Sequence, residues 1–179
     1  LKIYGGKLWA VINCSNYVEV MDVSTAKHLG KIAVPNCRYL AFKDGYAYVS
    51  AYAGPVEMDS DARIGFVAKI DTLSLRIVDS CIVGYQPEEM AVIGNKLYVT
   101  NAGGYRAPDY DSTVSVIDLG TFEEMYKINT GINLDKIEPD NYGNLYVSSR
   151  GDHYTIPSRT FIIDTLTDKV TDTLDLLPN

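Results

Sequence analysis

The 179-residue sequence predicts an all-β protein made of four copies of one small antiparallel sheet. Three observations carry that prediction. An aromatic-led β run recurs as Trp9-Ala10-Val11, Tyr48-Val49-Ser50, Tyr98-Val99-Thr100 and Tyr146-Val147-Ser148. Each copy is followed by a loop, a second β-like run ending in Asp, and a third run; those aspartates, Asp22, Asp71, Asp118 and Asp164, lie 49, 47 and 46 residues apart. No segment sustains a 3.6-residue apolar period, so the chain is expected to be essentially helix-free. Four short strands in such a period match one propeller blade, because a thin twisted sheet cannot bury both faces alone and must stack against copies of itself. A two-layer sandwich also has short alternating strands, but it gives no reason for the recurrence.

The repeats fall at roughly 1–34, 35–84, 85–131 and 132–177, each read as strands A to D. Strand B is Lys7 to Val11, Tyr46 to Ser50, Lys96 to Thr100 and Asn144 to Ser148. A turn with glycine precedes each copy (Gly5-Gly6, Asp44-Gly45, Gly94-Asn95, Asn141-Tyr142-Gly143), supplying the positive φ that a tight A–B hairpin needs. Strand C is Val18 to Asp22, Phe66 to Asp71, Val114 to Asp118 and Thr160 to Asp164; strand D is His28 to Val34, Leu75 to Val83, Glu124 to Thr130 and Lys169 to Leu176. The Asp that ends strand C is followed by Ser, Thr or Gly, so it is expected to hydrogen-bond the backbone ahead and start the C–D turn. Both ends of the chain fall at nearly the same phase of the repeat. Four blades can close into a ring, but ends without capping features fit a larger ring better, with the remaining blades outside this sequence.

Composition narrows function more than it defines it. Sixteen basic against 23 acidic residues give a net charge of −7, with no local basic patch, which disfavours nucleic acid and anionic membrane surfaces. No apolar run approaches the roughly 20 residues of a membrane span. Fourteen Tyr against 4 Phe and 1 Trp suit half-buried strands and wet binding rims. Cys14, Cys37 and Cys81 show neither metal spacing nor a disulfide framework, and are expected to be buried free thiols, a Cys14–Cys37 bridge being the alternative in an oxidising compartment.

The run Lys96-Leu97-Tyr98-Val99-Thr100-Asn101, followed by Ser112-Thr113-Val114-Ser115-Val116-Ile117-Asp118, closely resembles the YVTN-type β-propeller repeat of the YncE-like group, which includes bacterial and archaeal surface-layer-like proteins. Asn144-Leu145-Tyr146-Val147-Ser148-Ser149 is a near copy, and Lys7 to Asn13 keeps only the pattern. The resemblance implies a ring of seven or a similar number of blades. It also implies export to the periplasm or cell surface, any signal peptide or lipid anchor lying on a segment outside this sequence. Most members of the group have no defined enzymatic activity, so a binding scaffold without catalysis or cofactor is expected.

In a propeller the B–C and D–A connections emerge together on one face, and three of the B–C connections here are long and polar. Ala51 to Ile64 carries Tyr52, Glu57, Asp59, Asp61 and Arg63; Ala102 to Asp111 carries Tyr105, Arg106, Asp109, Tyr110 and Asp111; Arg150 to Arg159 carries Asp152, His153, Tyr154 and Arg159. Long loops on a rigid scaffold are where function sits, and Tyr and Arg make good anchors. The expected contact residues are therefore Tyr52, Tyr105, Arg106, Tyr110, Arg150, His153 and Tyr154, facing a protein, a small molecule or a glycan. No metal is expected; Asp59, Asp61, Asp109 and Asp111 are weak candidates for a cation, because neither Asp-x-Asp pair completes a calcium loop.

At the starts of strand A, Asn36 and Arg38 align with Gln86 and Glu88, and with Asn133 and Asp135. Arg38, Glu88, Asn133 and Asp135 are thus expected at the channel mouth, where the alternative reading, a metal-assisted lyase or hydrolase, would place its groups. His28 and His153 fall on opposite faces and cannot cooperate. No nucleophile elbow, phosphate loop or zinc pattern is present in the sequence.

Overall fold

The computed structural model describes residues 1–54, 56 and 62–175. They form sixteen strands in four antiparallel sheets, each taking its strands in chain order. The first sheet holds β1 (Lys2–Tyr4), β2 (Lys7–Ile12), β3 (Tyr17–Asp22) and β4 (His28–Ala33). The second holds β5 (Cys37–Lys43), β6 (Tyr46–Ala53), β7 (Arg63–Asp71) and β8 (Arg76–Tyr85); the third, β9 (Pro87–Ile93), β10 (Lys96–Asn101), β11 (Thr113–Asp118) and β12 (Glu123–Asn129). The fourth holds β13 (Leu134–Pro139), β14 (Asn144–Ser149), β15 (Arg159–Asp164) and β16 (Lys169–Asp175). Asp59, Asp61 and Glu57 lie outside the described residues, as do the last residues of the chain.

Side chains alternate between the two faces of each strand, so every sheet has two surfaces to cover. Among the described residues three apolar cores do this, one between each pair of consecutive sheets. The first joins Trp9, Val18 and Val20 to Leu40, Val49 and Ile70; the second joins Tyr48 and Val67 to Leu97, Val99 and Ile117; the third joins Tyr98 and Val116 to Leu145, Val147 and Ile163. The strand B aromatics Trp9, Tyr48 and Tyr98 are at most 1% exposed, whereas Tyr146, on the outer face of the fourth sheet, is 37% exposed. Three cores between four sheets make an arc.

The C–D turns lock neighbouring sheets by a second repeated device. Each terminal aspartate accepts hydrogen bonds from the backbone ahead, as with Asp22 from Ser24 N and Thr25 N at 3.0 and 2.8 Å, Asp118 from Gly120 N and Thr121 N at 2.7 and 3.0 Å, and Asp164 from Leu166 N at 2.7 Å. The fourth residue after it turns left-handed at Ala26, Leu75, Phe122 and Asp168, with φ between 52° and 57°. That geometry aims three of these side chains at the preceding sheet. Leu75 packs on the core that holds Trp9, Phe122 lies 5.7 Å from the Tyr48 ring, and Asp168 accepts the Tyr98 hydroxyl at 2.6 Å. Lys96 and Tyr126 also bond the Asp168 carboxylate.

Among the described residues the only helical pieces are two short 3₁₀ turns, Asn13–Ser15 and Gly104–Arg106, in keeping with an essentially helix-free chain. The structure corrects two other expectations. Cys14 is exposed; only Cys37 and Cys81 are buried, and all three are free thiols. The second strand B runs on to Ala53, so Tyr52 belongs to the rigid sheet rather than to a loop.

Candidate functional site

Because each sheet is a meander, its A–B and C–D turns share one end and its B–C and D–A connections the other. At that second end a single backbone tie is made three times. Asn36 O accepts Tyr52 N at 3.2 Å, Gln86 O accepts Ala102 N at 3.1 Å, and Asn133 O accepts Arg150 N at 3.0 Å. All three acceptors are left-handed, at φ 45°, 50° and 54°, a conformation that Asn tolerates better than most residues. Their side-chain amides then reach into the adjoining B–C segments: Asn36 Nδ2 donates to Gly54 O at 2.9 Å, Asn133 Nδ2 to Gly151 O at 3.1 Å, and Gln86 Oε1 accepts Tyr105 N at 2.8 Å. Each loop is thereby fastened to the start of strand A beside it.

These ties place a cavity of about 420 Å³ at the mouth of the arc. Its floor is Arg38, Glu88, Tyr52 and Asn133, from the starts of β5, β9 and β13 and the end of β6. Glu88 is 2% exposed and fully engaged. Its Oε2 accepts Arg38 Nε at 3.1 Å, both oxygens accept Arg38 Nη2, and Oε1 also accepts the Tyr52 hydroxyl. The Arg38 guanidinium lies 5.0 Å from the centre of the Tyr52 ring. Ser50 Oγ ties the Glu88 carbonyl to the second sheet at 2.7 Å, and Thr100 Oγ1 does the same for Asp135 at 3.1 Å, so the two acids occupy equivalent places.

Burial pushes the Glu88 carboxyl above its ordinary pKa, and the facing Arg38 charge and Tyr52 hydroxyl pull it back only in part. Burial is the largest single influence on the Arg38 charge and works against it, but Glu88, Tyr52 and Tyr39 together outweigh it, and the guanidinium pKa is raised. The Tyr52 phenol is driven far up, first by burial and then by the Glu88 charge beside it. It is a neutral donor, unsuited to act as a base. A second pair follows: Arg150 Nη2 lies 2.8 Å from Asp135 Oδ1, an ionic contact without hydrogen-bond alignment.

The walls come from the loops. Tyr105 stands edge-on to Tyr52 with ring centres 6.3 Å apart, and Tyr110 joins it from the same loop. Asp111 anchors that loop, accepting Tyr85 N at 2.8 Å and Thr113 N at 3.0 Å, which commits both carboxylate oxygens to the backbone. His153 and Tyr154 form the rim from the third loop, where Asp152 Oδ1 accepts Tyr154 N, Thr155 N and Ile156 N at 2.7 to 2.9 Å.

Nine of the eleven residues singled out from sequence as contact or channel-mouth positions line this one cavity. The two others sit just behind it. Arg106 turns away, its guanidinium 3.8 Å above the Tyr85 ring and its Nη1 donating to Asp109 O at 2.9 Å, while Asp135 backs Arg150. Asp109 is exposed, and among the described residues no three acidic, His or Cys side chains converge as a metal would require. His28 pairs with Glu19 at 2.8 Å, away from the cavity. Ala102, Gly104 and Ala107, also in the lining, were not picked out; their small size makes the room, and the Gly103-Gly104 pair is the signal that could have found them.

No family model and no curated protein matches the chain. Solved structures do. Hydrazine synthase of Kuenenia stuttgartiensis superposes with a TM-score of 0.81 at 20% identity, over 96% of this chain and 46% of that one. BamB from Moraxella catarrhalis gives 0.63 at 14% identity, over 97% and 48%. The dihydro-heme d1 dehydrogenase NirN gives 0.67 at 10% identity, over 95% and 35%. All are β-propeller folds, and the present chain is therefore an arc of four propeller blades, spanning about half the length of the first two. The neighbours include enzymes, and at these identities the likeness concerns fold alone.

Among the described residues no helix is long and apolar enough to cross a membrane.

Proposed function

We propose that the chain is part of an extracytoplasmic binding propeller of the YVTN-repeat, YncE-like type, which captures a ligand or partner in the cavity on its loop face. The observation that carries the reading is the convergence itself: residues from three different blades, chosen by chemistry and phase, line one concave site. The site has the build of a binding pocket rather than of a reaction centre. Its buried acid and its phenol are locked together by Arg38, and a general acid or base needs a free proton position within reach of substrate. Aromatic walls with a few fixed polar groups are what small-ligand pockets use, and about 420 Å³ falls within their usual range of roughly 300–1,000 Å³.

The test is a ligand-observed NMR screen of neutral, anionic and cationic fragments against the wild type and a Tyr105→Ala/Tyr154→Ala variant. Tyr154 is 92% exposed and Tyr105 38%, so both changes should leave the melting temperature within about 2 °C. Hits that vanish in the variant support the reading; a screen with no hits, or with hits indifferent to both substitutions, refutes it.

A further inference from the structure

Among the described residues, the floor of the cavity contains one buried polar atom without a hydrogen-bond partner. Asn133 is 3% exposed and lines the pocket; its Nδ2 is taken by Gly151 O, and its Oδ1 has no hydrogen-bond partner. A Cβ built on Gly104, across the lining, would stand 3.3 Å from that oxygen, closer than ordinary van der Waals contact, so any side chain at 104 would crowd it. A buried acceptor left unpaired is costly, and a ligand that brings an O–H or N–H removes the cost on binding.

The charges around it are already matched. Arg38 faces Glu88, and Arg150 faces Asp135, two cations against two anions. An anionic ligand finds no guanidinium without a carboxylate, and a cationic one finds no carboxylate without a guanidinium. The walls include Tyr105 and Tyr110, with Tyr154 at the rim. A ligand suited to all three features is uncharged, carries hydroxyls that both donate and accept around its edge, and presents an apolar face to a tyrosine ring.

We infer that the pocket takes the pyranose ring of a neutral saccharide, with one sugar hydroxyl donating to Asn133 Oδ1 and a C–H face of the ring against the tyrosine wall. This rests on the binding-site reading above and narrows it to a ligand class. A cavity of this size holds one or two sugar rings. Asn133 sets the preference for a donor, the paired charges exclude charged sugars, and the tyrosines supply the stacking surface.

The experiment titrates the protein with glucose, galactose, mannose, xylose and N-acetylglucosamine, and with galacturonate and glucosamine as charged counterparts, following binding by NMR. Two variants separate the acceptor from the fold. Asn133→Gly keeps the left-handed backbone and its backbone bonds to Arg150 and Asp111 but removes the Nδ2 bond to Gly151 O together with the oxygen; Gly104→Ala leaves Asn133 and all its bonds in place and puts a methyl group in front of the oxygen. At least one neutral sugar should bind saturably, and both variants should weaken it about tenfold, the worth of one well-placed hydrogen bond. If Asn133→Gly fails to fold, Gly104→Ala alone decides. Failure of every neutral sugar to bind, preference for a charged one, or equal affinity in Gly104→Ala overturns the inference. In those cases fragment hits lost on removing Tyr105 and Tyr154 would leave the binding site standing; only a screen without such hits removes both.

Discussion

Phe122 is the residue on which the second and third blades are pinned together. It is 3% exposed, sits in a turn at φ 57°, and places its ring against Tyr48, itself 1% exposed. A left-handed conformation costs an L-residue with a Cβ about 1–2 kcal/mol, so the turn is strained unless the side chain gains more by docking. Phe122→Ala keeps that strain and loses the docking. Phe→Ala in a core costs about 3–5 kcal/mol; because this ring caps one end of the interface, the lower end applies, about 3 kcal/mol. For a chain of this size that is a fall of about 6–12 °C in melting temperature. Ala26 is the internal control, since it occupies the same turn position at φ 56° with an exposed side chain. Ala26→Gly relieves about 1–2 kcal/mol of strain against about 0.5–1 kcal/mol of added chain entropy, and should stabilise slightly. Urea denaturation of both variants, read by tyrosine fluorescence and circular dichroism, gives the two free energies. If Phe122→Ala costs less than about 1 kcal/mol, or if Ala26→Gly is the more damaging change, the turn residue does not pin the blades.

The polar version of the same joint should behave differently. Asp168→Ala leaves the Tyr98 hydroxyl, on a fully buried side chain, without its acceptor and should cost about 1–3 kcal/mol; adding Tyr98→Phe should recover part of that loss, and a double-mutant cycle that finds strict additivity would exclude the coupling. Acid should loosen every turn at once. Hydrogen bonds from Ser24 and Thr25 hold the Asp22 carboxyl down to about 2, and similar bonds lower Asp71 and Asp118. For Asp168 burial acts the other way, but bonds from Lys96, Tyr126 and Tyr98 prevail and its pKa is lowered. A carboxylate whose folded pKa lies below its unfolded value contributes stability above the unfolded value, about 4, and loses it as pH falls through the folded one. The melting temperature should therefore be level from pH 7 to about 5 and fall between about 4 and 2; a level profile down to pH 2 would contradict the role given to these turns.

Much of the arc was legible because its repeat is written in backbone chemistry. Glycine turns, aromatic-led strands and Asp-initiated turns each have a local cause that survives in a single sequence, and their phase places B–C and D–A segments at one end. That is why Arg38, Glu88, Asn133 and Asp135 could be expected from sequence at the end of the arc that carries the B–C and D–A connections, where three of them line the cavity and Asp135 contacts Arg150. What stayed hidden was side-chain direction. Arg106 and Tyr105 are adjacent in one 3₁₀ turn, yet one stacks outward on Tyr85 and the other faces the cavity, a difference set by a short helix that no apolar period announces.

The joint between the third and fourth blades shows the same limit from the other side. Position by position Asp168 matches Leu75 and Phe122, both apolar, and an Asp in a polar turn reads as a solvated loop residue. It is instead the acceptor for Tyr98, Lys96 and Tyr126, so the interface keeps its contact by changing its chemistry. Tyr98 makes this possible: as Trp or Phe it would offer no hydroxyl, and the carboxylate would lose one of its three donors. The Tyr-rich composition of the strands is thus tied to how the blades join as well as to the walls of the pocket, and substitutions at the strand B tyrosines should be read first as changes in blade packing.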